Sequence, residues 1–448
     1  MRTTETDSLA LPPGELRMAS LPRMTVVRHP EPDRVGIGQT LARTESYTIG
    51  RSGSLLSGIF EQGKVSREHA RAIVGERVTL TDLGSRNGTF INGGRIHEAT
   101  VLEEGDVIGL GPVLLLFHRG PRHHREPDHP RLWGVSHPLA DLVAQLEEAG
   151  PRADNVVLVG ETGTGKELAA RALHEVSGRE GPFVALNCAA VADGVIPSEL
   201  FGHERGAFSG AEHARDGLIA AADGGTLFLD ELAAASPKLQ AALLRVLEDP
   251  LVRPVGATAA RPTDVRFVAA VQEGDRDLTQ LRDDLWFRLA RHRIQLPPLR
   301  HRRVDISVLA QRFASVRQGS PVRLGRALAL ALLRHDWPGN VRELHAVIEQ
   351  LMTKHPPTLV PGGFYELDAA PEVVSELVPL GRRKDPAESR DEPRRRRQAS
   401  RQELEAALQQ TEGQVTHAAK RLGVARRTLY RWLDAHDIDP AIYRPDAP

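Results

Sequence analysis

A glycine-rich loop between an apolar strand and a helix limits the central fold of this chain more than any other feature. Residues 160–166 read GETGTGK, follow the apolar run Val156–Val159 and precede a helical pattern at 168–173. Here glycines let backbone N–H groups face a phosphate, the helix N-terminus adds partial positive charge, and the lysine reaches the terminal phosphates. The pattern predicts a phosphate-binding loop in a parallel α/β domain, with an ordinary glycine turn as the alternative.

The loop residues expected to contact a nucleotide are Gly160, Glu161, Thr162, Gly163, Thr164, Gly165 and Lys166. Lys166 is one of only six lysines in a chain that has 58 Lys and Arg together, so lysine is kept where a compact ammonium suits phosphates. Glu167 follows it, where such loops usually have Ser or Thr for magnesium. We expect Glu167 to line the site and the metal to be held through water or by other residues.

A second buried strand ends in two carboxylates. Residues 225–231 read GTLFLDE, and the carboxyl ends of parallel strands meet at one edge of the sheet. Asp230 is expected to hold Mg²⁺, and Glu231 to polarise the water that attacks the γ-phosphate of ATP. Two acids alone could be a solvated strand end, but beside a phosphate loop they favour nucleotide hydrolysis.

Turn signals and periodicity divide the rest of the chain into domains. Asn-Gly turns between short apolar strips predict an N-terminal β-sandwich, alternating strands and helices predict the α/β domain, and the last 50 residues return to helical periodicity. The expected boundaries are 23–119 for the sandwich, 120–131 for a linker, 132–298 for the α/β domain, 299–360 for a helical lid, 361–398 for a second linker and 399–440 for the C-terminal helices.

Composition excludes several classes of protein. A single cysteine, Cys188, cannot form an intramolecular disulfide, and neither a secretory segment nor a membrane span is recognisable, so we expect a cytoplasmic protein. The net charge of −1 excludes a wholly basic nucleic-acid coat. Within residues 394–433, however, ten basic residues outnumber three acidic ones.

Residues 200–211, LFGHERGAFSGA, closely resemble the GAFTGA signature of bacterial enhancer-binding proteins, the AAA+ ATPases that activate sigma-54 RNA polymerase. The resemblance implies a mobile surface loop whose exposed aromatic tip, Phe208, contacts the sigma factor. Ser209 replaces the usual Thr and keeps the hydroxyl. The implied contact residues are Gly206, Ala207, Phe208, Ser209, Gly210 and Ala211.

The same resemblance extends over the central domain. It implies that Asn187 couples Glu231 to the state of the nucleotide, and that Arg342 is a sensor on the lid. Arg282 and Arg288 match arginine fingers that reach a neighbouring subunit's γ-phosphate, which implies a ring, in this family a hexamer. After the strand at 265–270 the family usually has Thr-Asn, but this chain has Val271 and Gln272. Gln272 still offers an amide, so we expect weaker phosphate sensing and slow turnover.

Three N-terminal segments resemble, in order, the loops of a forkhead-associated (FHA) domain, which binds phosphothreonine peptides: 49–51 (IGR), 65–69 (VSREH) and 84–89 (GSRNGT). The resemblance implies that Arg51, Ser66 and Arg67 bind the phosphate and that Asn87 fixes the peptide backbone. His69 is assigned to loop architecture.

Two helical patterns, 415–422 and 426–433, are separated by Gly423 and predict a helix-turn-helix. The segment resembles the Fis-type DNA-binding domain of the same activators. Its expected major-groove residues are Arg426, Arg427, Thr428 and Arg431. A merely solvated basic helix is the alternative.

The chain as a whole thus resembles an FHA-regulated, sigma-54-dependent transcriptional activator that uses ATP and Mg²⁺. The expected partners are sigma-54 RNA polymerase, enhancer DNA bound by dimers, a phosphothreonine protein linked to a Ser/Thr kinase, and further copies of the chain. Two alternatives stay open. One is a DNA-binding regulator or repressor with a vestigial ATPase, suggested by Glu167 and Val271. The other is a phosphopeptide adaptor whose remaining domains only assemble partners.

Overall fold

The computed structural model describes residues 20–43, 45–60, 63–121, 129–272, 281–369, 376, 401–411, 418 and 438. The chain divides into two compact units, Met1–Gly381 and Arg382–Pro448. Within the described residues, no helix has both the length and the apolar character needed to cross a bilayer.

An antiparallel β-sandwich forms the N-terminal part of the first unit. Its strands are β1 Leu21–Arg28, β2 Gly38–Thr40, β3 Ser46–Ile49, β4 Ala70–Val74, β5 Val78–Asp82, β6 Thr89–Ile91, β7 Gly94–Arg95, β8 Thr100–Val101, β9 Val107–Leu110 and β10 Val113–Gly120. They form a six-stranded sheet in the order β2-β1-β10-β9-β6-β7 and a four-stranded sheet in the order β3-β4-β5-β8. The predicted sandwich is therefore present.

Strand β10 shows how this sandwich is built. Its run VLLLF is buried at every position, which in a strand means that both faces are covered. Val113, Leu115 and Phe117 point into the sandwich core. Leu114 and Leu116, on the alternate face, belong to a different core. This second face is the one that meets the rest of the unit.

A parallel α/β domain follows. Its helices are α1 His137–Ala149, α2 Lys166–Val176, α3 Ile196–Phe201, α4 Leu218–Ala221, α5 Pro237–Glu248 and α6 Asp283–Leu289. Its strands are β11 Val156–Val159, β12 Phe183–Asn187, β13 Gly202–His203, β14 Arg215–Asp216, β15 Thr226–Asp230, β16 Leu251–Val252, β17 Arg261–Pro262, β18 Arg266–Val271 and β19 His292–Gln295. Five of these strands form one sheet in the order β12-β15-β18-β11-β19, with all its pairs parallel.

The apolar strand runs explain this sheet. Strands β11 and β18 are buried at every position, and apolar clusters cover both faces of the sheet. In the register, Asn187 pairs with Asp230 and Val159 pairs with Val271. The loops that follow β11, β12, β15 and β18 consequently meet along one edge, as the sequence predicts.

The helical lid comprises α7 Val304–Gln318, α8 Arg326–Arg334 and α9 Asn340–Lys354, with a small sheet of β20 Val322–Leu324, β21 Thr358–Val360 and β22 Phe364–Leu367 in the order β20-β22-β21. Strand β22 lies in the segment expected to be a linker from residue 361. Gly362 and Gly363, both with positive φ, make the turn that returns the chain as an antiparallel partner of β21. The lid therefore continues to Leu367.

A buried carboxylate fixes the start of the α/β domain to the lid. Asp305, fully buried in α7, accepts hydrogen bonds from Val135 N at 2.6 Å, Ser136 N at 2.8 Å and Ser136 Oγ at 2.6 Å. Ser136 also caps α1 by accepting from Leu139 N at 3.3 Å. Burial raises the pKa of Asp305, while Arg302 nearby opposes that shift.

The sandwich packs directly on the lid. Val27, Leu114 and Leu116 of the sandwich share one apolar core with lid residues that include Leu324 and Leu328. The sequence analysis does not predict this contact; it places a linker, 120–131, between the sandwich and the α/β domain. It makes the sandwich and the lid one packed body.

Polar contacts surround that shared core. Arg28, only 7% exposed, donates from Nε to Leu324 O at 3.1 Å and lies 3.5 Å from the Glu366 carboxylate. Arg323 donates to Pro30 O at 3.2 Å. Burial lowers the pKa of Arg28, and the attraction of Glu366 partly offsets this.

In the second unit the structure describes one helix, Arg401–Gln410, in which Leu404, Ala407 and Leu408 are buried. Their spacing places them on one helical face. The predicted DNA-contacting residues Arg426, Arg427, Thr428 and Arg431 lie outside the described residues.

Candidate functional site

The phosphate loop connects β11 to α2 at the shared edge of the sheet. Gly163 and Gly165 have φ angles of 77° and 101°, in the left-handed region that glycine adopts without strain. A Cβ at Gly163 would collide with the Gly339 carbonyl of the lid. Glycine at this position therefore permits both the turn and the approach of the lid.

A cleft of about 590 Å³ lies between this loop, the strand ends and the lid. It brings together Lys166, Asp230, Glu231, Gln272 and Arg342. Its other lining residues are Thr162, Gly163, Gly165, Glu167, Leu168, Ala233, Ala234, Ala270, Val271, Phe313, Val341 and His345. The predicted residues Gly160, Glu161, Thr164, Asn187, Arg282 and Arg288 are not among those that line it.

Lys166 lies at the first position of α2, and its Nζ donates to Gly160 O at 2.8 Å and Glu161 O at 3.1 Å. The ammonium thus rests against the loop backbone inside the cleft. Thr164 is buried and donates from Oγ1 to Glu161 O at 2.7 Å, which shapes the loop from within. Gly160 donates from its backbone N to Val271 O at 3.3 Å.

The side chain of Glu161 is held by the lid. Its carboxylate accepts from Arg300 Nη1 at 2.7 Å and Nη2 at 2.6 Å, and from Asn340 Nδ2 at 3.1 Å. The Arg300 hydrogen bonds lower the pKa of Glu161 to about 2, with Asn340 contributing. Glu161 therefore connects the loop to the lid, and only its backbone is available toward a phosphate.

Two further loop side chains have defined partners. Thr162 donates from Oγ1 to Gln272 Oε1 at 2.9 Å, which joins the phosphate loop to the end of β18. Glu167 forms an ion pair of 2.8 Å with Arg171 one turn along α2. The buried side chain of Val271 offers no hydrogen bond at the strand end.

Asp230 and Glu231 follow β15 at the cleft. Asp230 Oδ1 accepts from Glu231 N at 3.0 Å, and Glu231 has a φ of 52°, which is uncommon outside glycine. Such a conformation is often found at functional sites. Asn187 is next to Asp230 in the sheet, and its Oδ1 accepts from Ala189 N at 2.9 Å.

The donor set in the cleft suits Mg²⁺. This ion is commonly held by one or two carboxylates together with substrate phosphates and water, and Asp230 and Glu231 supply the carboxylates beside the phosphate loop. Among the described residues no group of three or more His, Cys, Asp or Glu forms a complete protein cage. A shared protein–phosphate site fits this arrangement better than a closed one.

The two candidate arginine fingers lie away from their own chain's cleft. Arg282 precedes α6 and makes two hydrogen bonds to Asp284, at 3.0 and 2.7 Å. Arg288, on the last turn of α6, donates to Glu248 Oε1 at 2.9 Å. Both are exposed, which leaves them accessible to another molecule.

The lid reaches the loop through the start of α9. Val341 N donates to Gly163 O at 3.0 Å and Arg342 N donates to the same oxygen at 3.4 Å. Asn340 is fully buried and donates from Nδ2 to Thr162 O at 3.0 Å. These contacts bring the Arg342 side chain into the cleft.

Residues 206–211 form a surface loop between β13 and β14. Gly206 N donates to Ala211 O at 2.8 Å, and Ala211 N donates to Phe208 O at 3.0 Å, so the loop closes on itself. Phe208 is 46% exposed at its tip, with its ring 5.0 Å from the His203 imidazole in an edge arrangement. Ser209 and Gly210 are exposed beside it.

The N-terminal loops meet at one edge of the sandwich. His69, fully buried, accepts at Nδ1 from Ser66 N at 3.1 Å and donates from Nε2 to Gly88 O at 3.1 Å. Burial lowers the pKa of His69, which favours this neutral form. Arg51 N donates to Ser66 O at 3.1 Å, and Arg67 is exposed beside them. Asn87 Nδ2 donates to Lys64 O at 2.6 Å.

Four family models match the chain in succession. They are an FHA domain at 47–111, a Sigma-54 interaction domain at 132–295, an AAA+ ATPase lid domain at 300–361, and the bacterial regulatory proteins of the Fis family at 395–436. The fold and cleft thus define an AAA+ domain of the sigma-54 interaction class, between an FHA domain and a Fis-type helix-turn-helix.

Two curated relatives that match about two thirds of the chain, AtoC and ZraR, agree with this assignment. The regulatory protein AtoC of Escherichia coli K12 is 38% identical over 327 residues, which cover 69% of each chain. The transcriptional regulatory protein ZraR of the same strain is 40% identical over 309 residues, which cover 66% of each. A solved structure of NtrX from Brucella abortus in complex with ATP is 28% identical, with a TM-score of 0.49, and covers 69% of this chain and 70% of that one.

This chain belongs to the family of sigma-54-dependent transcriptional regulators. It spans about two thirds of the length of AtoC and ZraR, and half the length of the C4-dicarboxylate transport regulator DctD of Pseudomonas aeruginosa, to which it is 44% identical over 230 residues.

Proposed function

We propose that the chain hydrolyses ATP in the cleft and uses the cycle to remodel sigma-54 RNA polymerase, so that a closed promoter complex opens. The observation that carries this proposal is the convergence of Lys166, Asp230, Glu231 and Arg342 on one cavity at the sheet edge. A cation for the phosphates, acids for metal and water, and a lid arginine are the groups that phosphoryl transfer requires.

Each of these residues has a distinct role in the proposed reaction. Backbone N–H groups of the loop and the Lys166 ammonium bind the β- and γ-phosphates. Glu231 orients the attacking water and accepts its proton, and Asn187 holds that carboxylate in or out of position. Mg²⁺, when bound near Asp230, neutralises charge on the phosphate oxygens. Gln272 contacts the γ-phosphate side of the site through its amide.

Completion of the site requires a second subunit. Arg282 and Arg288 are exposed and paired with Asp284 and Glu248 on their own chain, where they cannot contact their own cleft. In a ring, which we propose to be a hexamer, they exchange these acids for the γ-phosphate of the adjacent protomer. Exposed ion pairs are weak, so the exchange costs little.

The output of the cycle is assigned to the surface loop. Phe208, with Gly206, Ala207, Ser209, Gly210 and Ala211 around it, is proposed to contact sigma-54, and lid and strand movements on hydrolysis are proposed to present or withdraw it. Enhancer DNA is assigned to the C-terminal module through Arg426, Arg427, Thr428 and Arg431, which suit phosphate and base-edge contacts in a major groove.

Control is assigned to the N-terminal domain. Arg51, Ser66 and Arg67 offer charged and hydroxyl donors at one edge of the sandwich, and Asn87 lies beside them, as phosphothreonine recognition requires. The ligand is proposed to be a threonine-phosphorylated protein or segment under a Ser/Thr kinase.

Reconstituted transcription on a sigma-54 promoter tests the proposal. Phe208→Ala is expected to abolish open-complex formation while ATP hydrolysis continues. Leu359→Ala, at another exposed apolar side chain on lid strand β21, serves as the matched control and is expected to retain activity. Equal open-complex formation by the wild type and Phe208→Ala would refute the assignment.

A second candidate is a DNA-binding regulator or repressor with a weak or vestigial ATPase. The buried, non-polar Val271 at the sensor strand and the Glu167–Arg171 ion pair favour it. Steady-state ATP turnover by the full chain separates the two proposals. Turnover that is lost on Lys166→Ala supports the activator, whereas no turnover with intact DNA binding supports the repressor.

A further inference from the structure

A groove of about 640 Å³ lies where the phosphopeptide edge of the sandwich meets the lid. One wall comes from the sandwich and includes Lys64, Asn87 and Phe90. The other wall comes from helix α8 and includes Arg326 and Leu330. The remaining lining residues are Arg28, Gly93, Gly111 and Pro112. Neither domain alone forms this groove.

The groove begins at a residue already assigned to ligand binding. Asn87 donates to Lys64 O at 2.6 Å and lines the groove, while it also adjoins the loops that carry Ser66 and Arg67. A peptide held by Asn87 beside its phosphothreonine therefore passes directly from those loops into the groove. An extended chain advances about 3.3 Å per residue, so flanking side chains come within reach of both walls.

The lid wall is fixed in place by the docked sandwich. Arg326 donates to Gly111 O, and its guanidinium lies 5.5 Å from the centre of the Phe90 ring. Arg326 is only partly exposed, and this burial lowers the pKa of its guanidinium. An arginine in this setting gains from an additional carboxylate partner.

The charge of the groove determines what it accepts. Lys64 and Arg326 line it together with Arg28, whose charge is already shared with Glu366, and none of its described lining residues is acidic. Phe90 and Leu330 add apolar surface between these cations. The groove therefore suits an extended peptide with carboxylate side chains and disfavours a basic one.

We propose that the lid helix α8 completes the phosphopeptide site, and that Arg326 selects phosphothreonine ligands with acidic residues next to the phosphorylated threonine. The inference rests on the proposed phosphothreonine binding and adds the flanking specificity and its source in the AAA+ lid. Ligand binding then bridges the FHA domain and the lid directly.

The test measures binding of fluorescein-labelled phosphothreonine peptides to the full chain by anisotropy. Peptides carry Asp, Ala or Lys at the flanking positions, on the N-terminal and C-terminal sides separately. Wild type is expected to bind an Asp-flanked peptide about tenfold more tightly than the Lys-flanked one. Arg326→Gln is expected to reduce this preference to about threefold or less while it retains phosphothreonine binding.

Arg334→Gln is the matched control. Arg334 lies on the same helix and donates to Asn92 O of the sandwich, but it does not line the groove. The Arg334→Gln variant is expected to keep the full preference for Asp-flanked over Lys-flanked peptides. Leu330→Ala, which shortens the apolar part of the same wall, is expected to weaken all the peptides equally.

The outcomes separate this inference from the function on which it rests. If no phosphothreonine peptide binds, or Arg51→Ala has no effect on binding, both the proposed phosphothreonine binding and the composite site are refuted. If binding depends on Arg51 but shows no preference for acidic flanks, or if Arg326→Gln leaves the preference intact, only the composite site is overturned. Equal loss in Arg326→Gln and Arg334→Gln attributes the effect to docking of the domains and overturns it as well.

Discussion

The Glu161 carboxylate accepts hydrogen bonds from both Nη atoms of Arg300, at 2.7 and 2.6 Å, across the boundary between phosphate loop and lid. Asn340 adds a third hydrogen bond from the lid. A side chain of the phosphate loop is thus hydrogen-bonded directly to the lid, so movement of the lid must break or shift these bonds. Its charge is maintained over almost the whole pH range, since its pKa is about 2.

Glu161→Gln is expected to weaken the coupling between lid and loop. The pKa of Glu161 in the fold is below its ordinary value of 4.5, so its ion pair stabilises the fold above about pH 4.5 and loses this effect as the pH falls toward 2. The difference in unfolding free energy between wild type and variant should therefore shrink over that window, as measured by urea titrations at several pH values. Glu148→Gln, which removes the exposed ion pair with Arg152 just beyond the end of α1, should show almost no difference at any pH.

Gly163→Ala is expected to abolish ATP binding. The added Cβ collides with Gly339 O, and φ of 77° disfavours any other residue. Gly178→Ala has a similar φ of 69° but meets open space, so it should cost only about 1 kcal/mol in stability and leave nucleotide affinity unchanged. Calorimetry with ATP compares the two; equal affinities would contradict the proposed close approach of the lid.

Asp305→Asn is expected to destabilise the chain by about 2 kcal/mol. The amide keeps one oxygen for the N–H groups of Val135 and Ser136, but its N–H₂ group faces the Ser136 hydroxyl and the charge that faced Arg302 is lost. Asp336→Asn, at an exposed lid position, should be close to neutral. Denaturant midpoints measure both. A loss below about 1 kcal/mol for Asp305→Asn would show that the buried contact is dispensable.

Mixed subunits test the proposed arginine fingers. Arg288→Ala and Glu231→Gln are each expected to lack ATP turnover. If Arg288 acts across subunits, an equal mixture regains about a quarter of wild-type activity, since that fraction of neighbouring pairs combines an intact Glu231 with an intact Arg288. If the two residues act within one chain, mixing restores nothing. Lys166→Ala mixed with Glu231→Gln is the control and should stay inactive, because both lesions affect the same side of each interface.

Local patterns predict those parts of the site that lie within one strand and its following loop. The phosphate loop, the acids after β15 and the glycine-flanked Phe208 are all short segments whose order along the chain suffices to place them. Their meeting at one edge follows from the parallel sheet. Arg342 was predicted to lie at the nucleotide only because the chain resembles enhancer-binding proteins. The structure places it on α9, where it lines the cleft.

Contacts between distant segments could not be predicted from such patterns. Arg300 and Glu161 are 139 positions apart in the sequence. In this arginine-rich chain, nothing in the sequence around either residue distinguishes it from an ordinary surface residue. One sequence feature is consistent with the docking of the sandwich on the lid. The unbroken apolar run at 113–117 fits a strand covered on both faces, but it does not identify what covers the second face.

The core shared by Val27, Leu116 and the lid helices has a mechanical consequence. Since the two domains share this apolar core, a hinge for lid movement cannot lie at their junction. Rotation of α9 against the sheet edge therefore carries the whole sandwich with it. Displacements made at the phosphate thus reach the N-terminal domain without passing through a flexible joint.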